Sequence, residues 1–158
     1  MTYTVISHCY EDTFAIGRNF GPYCEDGLIF MLDGDLAAGK TVFAKGLGDG
    51  LGVKGTIKSP SYTLMCSYEG TFPFYHFDAY HLNGMDDFYD LGFDEFLEEG
   101  VALIEWSSVI ADEFPYNFIH LSIIQGETED DRILTFTAHG DGCKEILEDW
   151  WHHENFGL

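Results

Sequence analysis

Hydrophobic residues along the chain fall into two kinds of pattern. "LIFML" (Leu28–Leu32) and "VALIEW" (Val101–Trp106) are apolar almost without interruption, and they read as strands buried on both faces of a parallel sheet. Other stretches repeat at helical spacing. Thr13, Ile16 and Phe20 mark a helix from about Cys9 to Phe20, stopped by Gly21-Pro22. Val42, Phe43, Leu47 and Leu51 mark a second, ended by Gly50 and Gly52. A short strand at Tyr3–Ile6 opens the chain, and "FPFYHFDAYHL" (Phe72–Leu82) reads as another strand. "TIKSPSYTLMCSYEG" is a loop feeding an extended segment, and "DDFYDLGFDEFLEE" is helical with an acidic face. "FIHLSII" and "RILTFTAHG" are two late strands, followed by a short helix from about Cys143 to His153. Strands alternating with helices early, then strands in succession late, predict an α/β fold. Its sheet is mostly parallel with helices on both faces and antiparallel strands late in the chain. With 158 residues and no repeat, linker or low-complexity block, residues 1–158 read as one domain.

Candidate chemistry sits between the first buried strand and the second helix. Gly34-Asp35-Leu36-Ala37-Ala38-Gly39-Lys40-Thr41 fits the phosphate-loop template G-x-x-x-x-G-K-[ST]. Context strengthens the match, because the motif follows a buried strand and opens a helix. In such a P-loop, backbone N–H groups from Gly34 through Ala37, Ala38 and Gly39 to Val42 face the phosphates. Lys40 reaches the β- and γ-phosphates, and the Thr41 hydroxyl is a Mg²⁺ ligand. A P-loop ATPase also needs acids, and ligands of open α/β sheets sit outside the carboxyl ends of the strands. Asp78 and Glu105 occupy such ends. A carboxylate closing the apolar "VALI" is costly unless something pairs with it. Asp78 reads equally well as an ordinary turn residue. "KSPSYTL", with Ser59, Ser61 and Thr63, reads either as a switch loop near a γ-phosphate or as a Pro-containing turn.

Charge narrows the function classes. The net charge is -21, from 28 acids against 7 bases, which disfavours a surface that grips nucleic acid on its own. The few cations cluster: Lys40, Lys45, Lys54 and Lys58 surround the motif, where a polyphosphate would want them. No apolar run is long enough for a membrane span, and the N-terminus has no secretion-signal pattern. Four scattered cysteines without a C-x-x-C pair suit free thiols in a reducing cytoplasm. The seven histidines show no metal-ligand spacing.

"GDLAAGKTVFAKGLGDGLG", "KSPSYTL", "HFDAYHL" and "LIEW", in this order and spacing, closely resemble the TsaE/YjeE family, the bacterial ATPase subunit of tRNA threonylcarbamoyladenosine synthesis. The resemblance runs from about Thr13 to Gly140. It implies an atypical P-loop ATPase using ATP and Mg²⁺, with two related partner subunits, TsaB-like and TsaD-like, and with tRNA engaged only through that complex. Position by position, Gly39, Lys40 and Thr41 match phosphate and Mg²⁺ contacts, and Glu105 matches the acidic Mg²⁺ position. Asp78 matches the acid near the γ-phosphate, Ser61 and Thr63 fall in the switch-like loop, and Trp106 follows the glutamate. Thr13 and Arg132 align with positions around the nucleotide. The expected catalytic set is Asp78, Glu105 and Lys40, with Thr41 and Glu105 on the metal.

Two positions depart from the family pattern. Ala37 stands where a glycine is usual, and His81 stands where an arginine usually follows the H-x-D-x-Y segment. Any charge-stabilising cation is therefore expected from Lys58, Arg132 or a partner. The alternatives are a nucleotide-dependent adaptor that does not hydrolyse ATP, and a small-molecule kinase. Only two arginines in the chain argue against the kinase.

Overall fold

A computed structural model gives the structure, which describes residues 2–35, 39–58, 60 and 64–154. The elements are β1 (Thr2–Ser7), α1 (Tyr10–Arg18), β2 (Leu28–Gly34), α2 (Lys40–Gly50), β3 (Met65–Tyr68), β4 (Phe74–Asp78), α3 (Met85–Asp90), β5 (Val101–Glu105), β6 (Phe118–Gln125), β7 (Arg132–His139) and α4 (Asp141–Glu154). The strands form one seven-stranded sheet in the order β1-β7-β6-β2-β5-β4-β3. The two uninterrupted apolar runs, β2 and β5, are neighbours at its centre, with β6 and β4 parallel beside them. Central strands covered on both sides need no polar face, which is why these two carry none until their last residues. Antiparallel strands complete both edges, β7 and β1 on one side and β3 on the other. The late antiparallel pair follows from the alternation in β7, whereas β3 adds an antiparallel edge at mid-chain.

Helices cover both faces. Phe30, Leu32, Leu103, Leu121 and Phe136 pack under α1, α2 and α4, which contribute Ile16, Phe43, Leu47, Leu147 and Trp150. Phe20 stacks on Trp150 with ring centroids 4.2 Å apart and joins that core to α4. On the opposite face Ile29, Met31, Ala102 and Ile104 lie against Met85 and Phe88 of α3 and against Phe93, Leu97 and Ile110. The helical pattern expected across "DDFYDLGFDEFLEE" is broken into two pieces. α3 gives way at Gly92, whose φ of 73° is left-handed, and a single turn at Phe93–Phe96 follows. The break brings Phe88 and Phe93 onto the same ring, Phe77, with centroids 5.7 and 5.0 Å away. The strand expected over Phe72–Leu82 is also shorter, because Asp78 Oδ1 accepts the Tyr80 N–H at 2.9 Å and turns the chain.

The contact that sets the site is α1 against α2, which meet backbone to backbone. A Cβ on Gly46 would overlap the Phe14 carbonyl oxygen, and one on Gly17 would overlap that of Phe43. In an ordinary helix Gly46→Ala would gain about 1 kcal/mol of propensity. Here the overlap has only backbone to displace, so the substitution is expected to destabilise by about 3 kcal/mol. Urea denaturation of Gly46→Ala checks this, and an unchanged midpoint would mean that the helices part easily.

Candidate functional site

Register and alternation place the polar residues at one end of the sheet. Asp78 of β4 lies beside Glu105 of β5, which lies beside Leu32 of β2. Leu32 packs in the layer covered by α2, so the two acids share that face at the carboxyl ends of parallel strands. Both are buried, with 5% and 4% of their surface exposed. Glu105 is not alone: its Oε2 lies 2.6 Å from His76 Nε2, and His76 is wholly buried two residues before Asp78. That pair supplies the partner which a carboxylate ending an apolar strand requires.

Gly39 and Lys40 form the junction above this row. Gly39 caps α2 with a left-handed φ of 98°, a conformation that suits glycine, and Lys40 begins the helix. Lys40 is 4% exposed, and its Nζ has no hydrogen-bond partner among the described residues. The amine lies over the Trp106 indole, 3.9 Å from the ring centroid, where the π-face favours positive charge. Trp106 is itself held in the left-handed region at φ 58°, its N–H donated to the Leu32 carbonyl at 3.1 Å. The ring of the exposed Tyr80 lies 5.0 Å from it.

Sequence reasoning passed over the network that steadies Trp106 from the other side of the sheet. Asp33 Oδ2 accepts the Ser107 hydroxyl at 2.5 Å and His120 Nε2 at 2.8 Å, while Oδ1 accepts the Ser108 N–H at 3.3 Å. Burial pushes the Asp33 carboxyl up, but these donors outweigh it and hold it below the ordinary aspartate range. The signal in the sequence was an acid closing "LIFML", the same situation that singled out Glu105.

A cavity of about 220 Å³ opens beside the helix start, lined by Thr13, Gly39, Val42 and Arg132 together with Tyr10 and Asp130. Close α1–α2 packing sets Thr13 against Gly39, and the Thr13 Oγ1–Ser7 Oγ hydrogen bond of 2.6 Å anchors it to the end of β1. Arg132 Nη1 donates to the Glu129 and Asp131 carbonyls at 2.6 and 2.9 Å. The structure therefore brings together Thr13, Gly39, Val42 and Arg132, and separately Lys40, Trp106, Glu105 and Asp78. Gly34 ends β2 and Thr41 follows Lys40 in α2. Lys58 is exposed near β3, its N–H donated to the Tyr68 hydroxyl. Ala37, Ala38, Ser61 and Thr63 lie outside the described residues. No group of three or more His, Cys, Asp or Glu side chains arranged to hold a metal occurs among the described residues.

A buried amine without an acceptor among the described residues, at a helix start with its free N–H donors, suits an anion. Lys40→Met should consequently raise the melting temperature of the nucleotide-free protein by about 2–4 °C and remove stabilisation by added ATP. A lower melting temperature would show that the amine has a partner. A second expectation concerns Asp33. Its folded-state pKa lies below that of the unfolded chain, so its stabilisation is complete above the unfolded aspartate range. The stabilisation is lost as pH falls through the folded value. Asp33→Asn should destabilise by about 1–2 kcal/mol at neutral pH, with the gap to wild type shrinking in acid. Denaturation midpoints across pH test this, and a gap independent of pH would refute it.

The chain matches the family model described as "Threonylcarbamoyl adenosine biosynthesis protein TsaE" over residues 7–134. It is 36% identical over 147 residues to "tRNA threonylcarbamoyladenosine biosynthesis protein TsaE" of Bacillus subtilis (strain 168), covering 92% of this chain and 91% of the relative. The protein of the same description from Treponema pallidum (strain Nichols) is 40% identical over 119 residues, 75% of this chain and 88% of its own. The crystal structure of Bacillus subtilis YdiB superposes with a TM-score of 0.81 at 31% identity, covering 98% of this chain and 97% of that one. Among the described residues no helix is long and apolar enough to cross a membrane.

Proposed function

The chain belongs to the TsaE family, and from that membership we propose that it serves threonylcarbamoyladenosine synthesis on tRNA as a cytoplasmic ATP-binding and ATP-hydrolysing subunit. The observation that carries the nucleotide reading is the buried Lys40 amine, without an acceptor among the described residues, at the first residue of α2. In this reading the amide groups at the α2 start and Lys40 hold the β- and γ-phosphates. The cavity formed by Thr13, Gly39, Val42 and Arg132 receives the nucleoside end. Thr41 and Glu105 hold Mg²⁺, which supplies charge neutralisation on the phosphate oxygens when bound. Glu105 has one oxygen committed to His76, leaving Oε1 for the ion. Asp78 has Oδ1 committed to the Tyr80 N–H, leaving Oδ2 to orient the attacking water.

Phosphoryl transfer to water asks for positioning and charge neutralisation rather than covalent chemistry, and these residues supply both. The acidic balance supports a reading in which the grip on tRNA belongs to the partners, TsaB-like and TsaD-like subunits. The switch-loop residues Ser61 and Thr63 and the loop residues Ala37 and Ala38 belong to the proposal on sequence alone.

Phosphate release measured with and without the two partner subunits and substrate tRNA tests the proposal. Wild type should be slow alone and faster in the complex. Glu105→Gln and Asp78→Asn should each lower the rate by about 100-fold or more, while binding of ADP without metal stays within a few-fold of wild type. No phosphate release above background from wild type, alone or in the complex, with complex formation still dependent on ATP, would instead identify a non-hydrolysing adaptor.

A further inference from the structure

We propose that His76 is the positioning residue for Glu105: it pins one carboxylate oxygen so that the other is held ready for the divalent cation. This inference rests on the reading of Glu105 as a Mg²⁺ ligand. The hydrogen bond joins neighbouring strands, His76 on β4 in register with Leu103 and Glu105 on β5 in register with Asp78. Its 2.6 Å length and the burial of both side chains, 0% and 6% exposed, leave neither partner room to swing. The His76 ring is stacked on Phe74, with centroids 6.2 Å apart and planes 20° from parallel, which closes a third direction.

The hydrogen-bond inventory also assigns the tautomer. A carboxylate only accepts, so the proton between the two groups belongs to His76 Nε2. Nδ1 is buried without a partner among the described residues, so an N–H there would be an unsatisfied donor. A donor at Nε2 and a bare Nδ1 are therefore the arrangement that leaves no buried His76 donor unsatisfied among the described residues.

Packing alone does not account for the pair. Two apolar residues of similar volume would fill the same space with no buried polar atom, and such replacements are often neutral or stabilising. What an apolar pair lacks is a carboxylate of fixed orientation at the end of β5. Partners behind a metal ligand do this work elsewhere, and their loss typically weakens metal affinity by 10–100-fold.

The test measures the Mg²⁺ concentration at which a fluorescent ADP analogue reaches half of its metal-dependent gain in affinity, alongside the analogue's affinity in EDTA. His76→Phe, which keeps the packing on Phe74 and removes the donor, should raise that midpoint by about 10-fold or more. Its affinity in EDTA should stay within about twofold of wild type, since the phosphate contacts of the nucleotide do not pass through this pair. His76→Gln, which restores a side-chain N–H at similar reach, should recover most of the wild-type midpoint. If His76→Phe does not fold, His76→Asn carries the same expectation, because its amide is too short to reach Glu105. A wild-type midpoint in the donor-less variant overturns the inference, as does equal loss in the Gln variant. Glu105→Gln, measured in parallel, separates the two layers: if it leaves the midpoint unmoved, Glu105 is not a metal ligand. If it shifts the midpoint and His76→Phe does not, the positioning role alone fails.

Discussion

A side-chain amine buried without a hydrogen-bond acceptor carries a free-energy penalty of about 1–3 kcal/mol on mutational scales, and Lys40 is such an amine among the described residues. The penalty is tolerable only where the neighbourhood is rigid and offers some compensation for positive charge. Rigidity comes from α1 and α2, whose glycines let the two backbones touch and fix the first turn of α2. Compensation comes from the Trp106 indole, placed by a left-handed backbone that an L-residue adopts with some strain. On the proposed reading, an anion between the helix start and the strand ends would supply the acceptor that the amine lacks among the described residues.

Parallel strands explain why the polar residues collect where they do. Four adjacent strands that run the same way, β6, β2, β5 and β4, end together, so whatever follows their apolar runs is brought into one row. Side-chain alternation then divides that row between two faces. Glu105 and Asp78 fall on the face under α2, with His76 behind Glu105. Asp33 falls on the other face, where Ser107 and His120 donate hydrogen bonds to it. The two carboxylates that close the central strands therefore do different things. One is held by a single donor and keeps an oxygen in reserve, and the other is surrounded by donors that fasten the turn after Trp106.

Much of this was legible in the sequence, and the exceptions share a cause. The runs "LIFML" and "VALIE" could hardly be anything but central strands, and a lysine-bearing glycine loop between strand and helix identified the junction. The acids at the strand ends followed from the rule that ligands gather there. The His76–Glu105 pair did not follow, because the residues lie 29 positions apart and meet only through the register of β4 on β5. A histidine alternating inward with Phe74 and Asp78 was the available signal, but a search for metal-ligand spacing looks for neighbours along the chain and misses it. The break at Gly92 escaped for a related reason. A helical period can persist across a left-handed glycine when both halves bury the same kind of residue, as Phe88 and Phe93 do against Phe77.

The strong negative charge of the chain bears on how an anion could reach such a site at all. A net charge of -21 repels a polyphosphate over the protein as a whole. Screening confines that repulsion to roughly 8 Å at physiological ionic strength, so approach depends on the charges nearest the entrance. Four of the chain's seven cations, Lys40, Lys45, Lys54 and Lys58, fall between positions 40 and 58. On the far side of the cavity Arg132 stands among the acids of the loop that precedes β7. Of these cations Lys40 stands at the helix start, with Arg132 across the adjoining cavity, whereas Lys45 and Lys54 line pockets toward the other end of α2. On the proposed reading a small, highly charged ligand would meet Lys40 and Arg132, whereas an extended polyanion would span well beyond them and meet the surrounding acids.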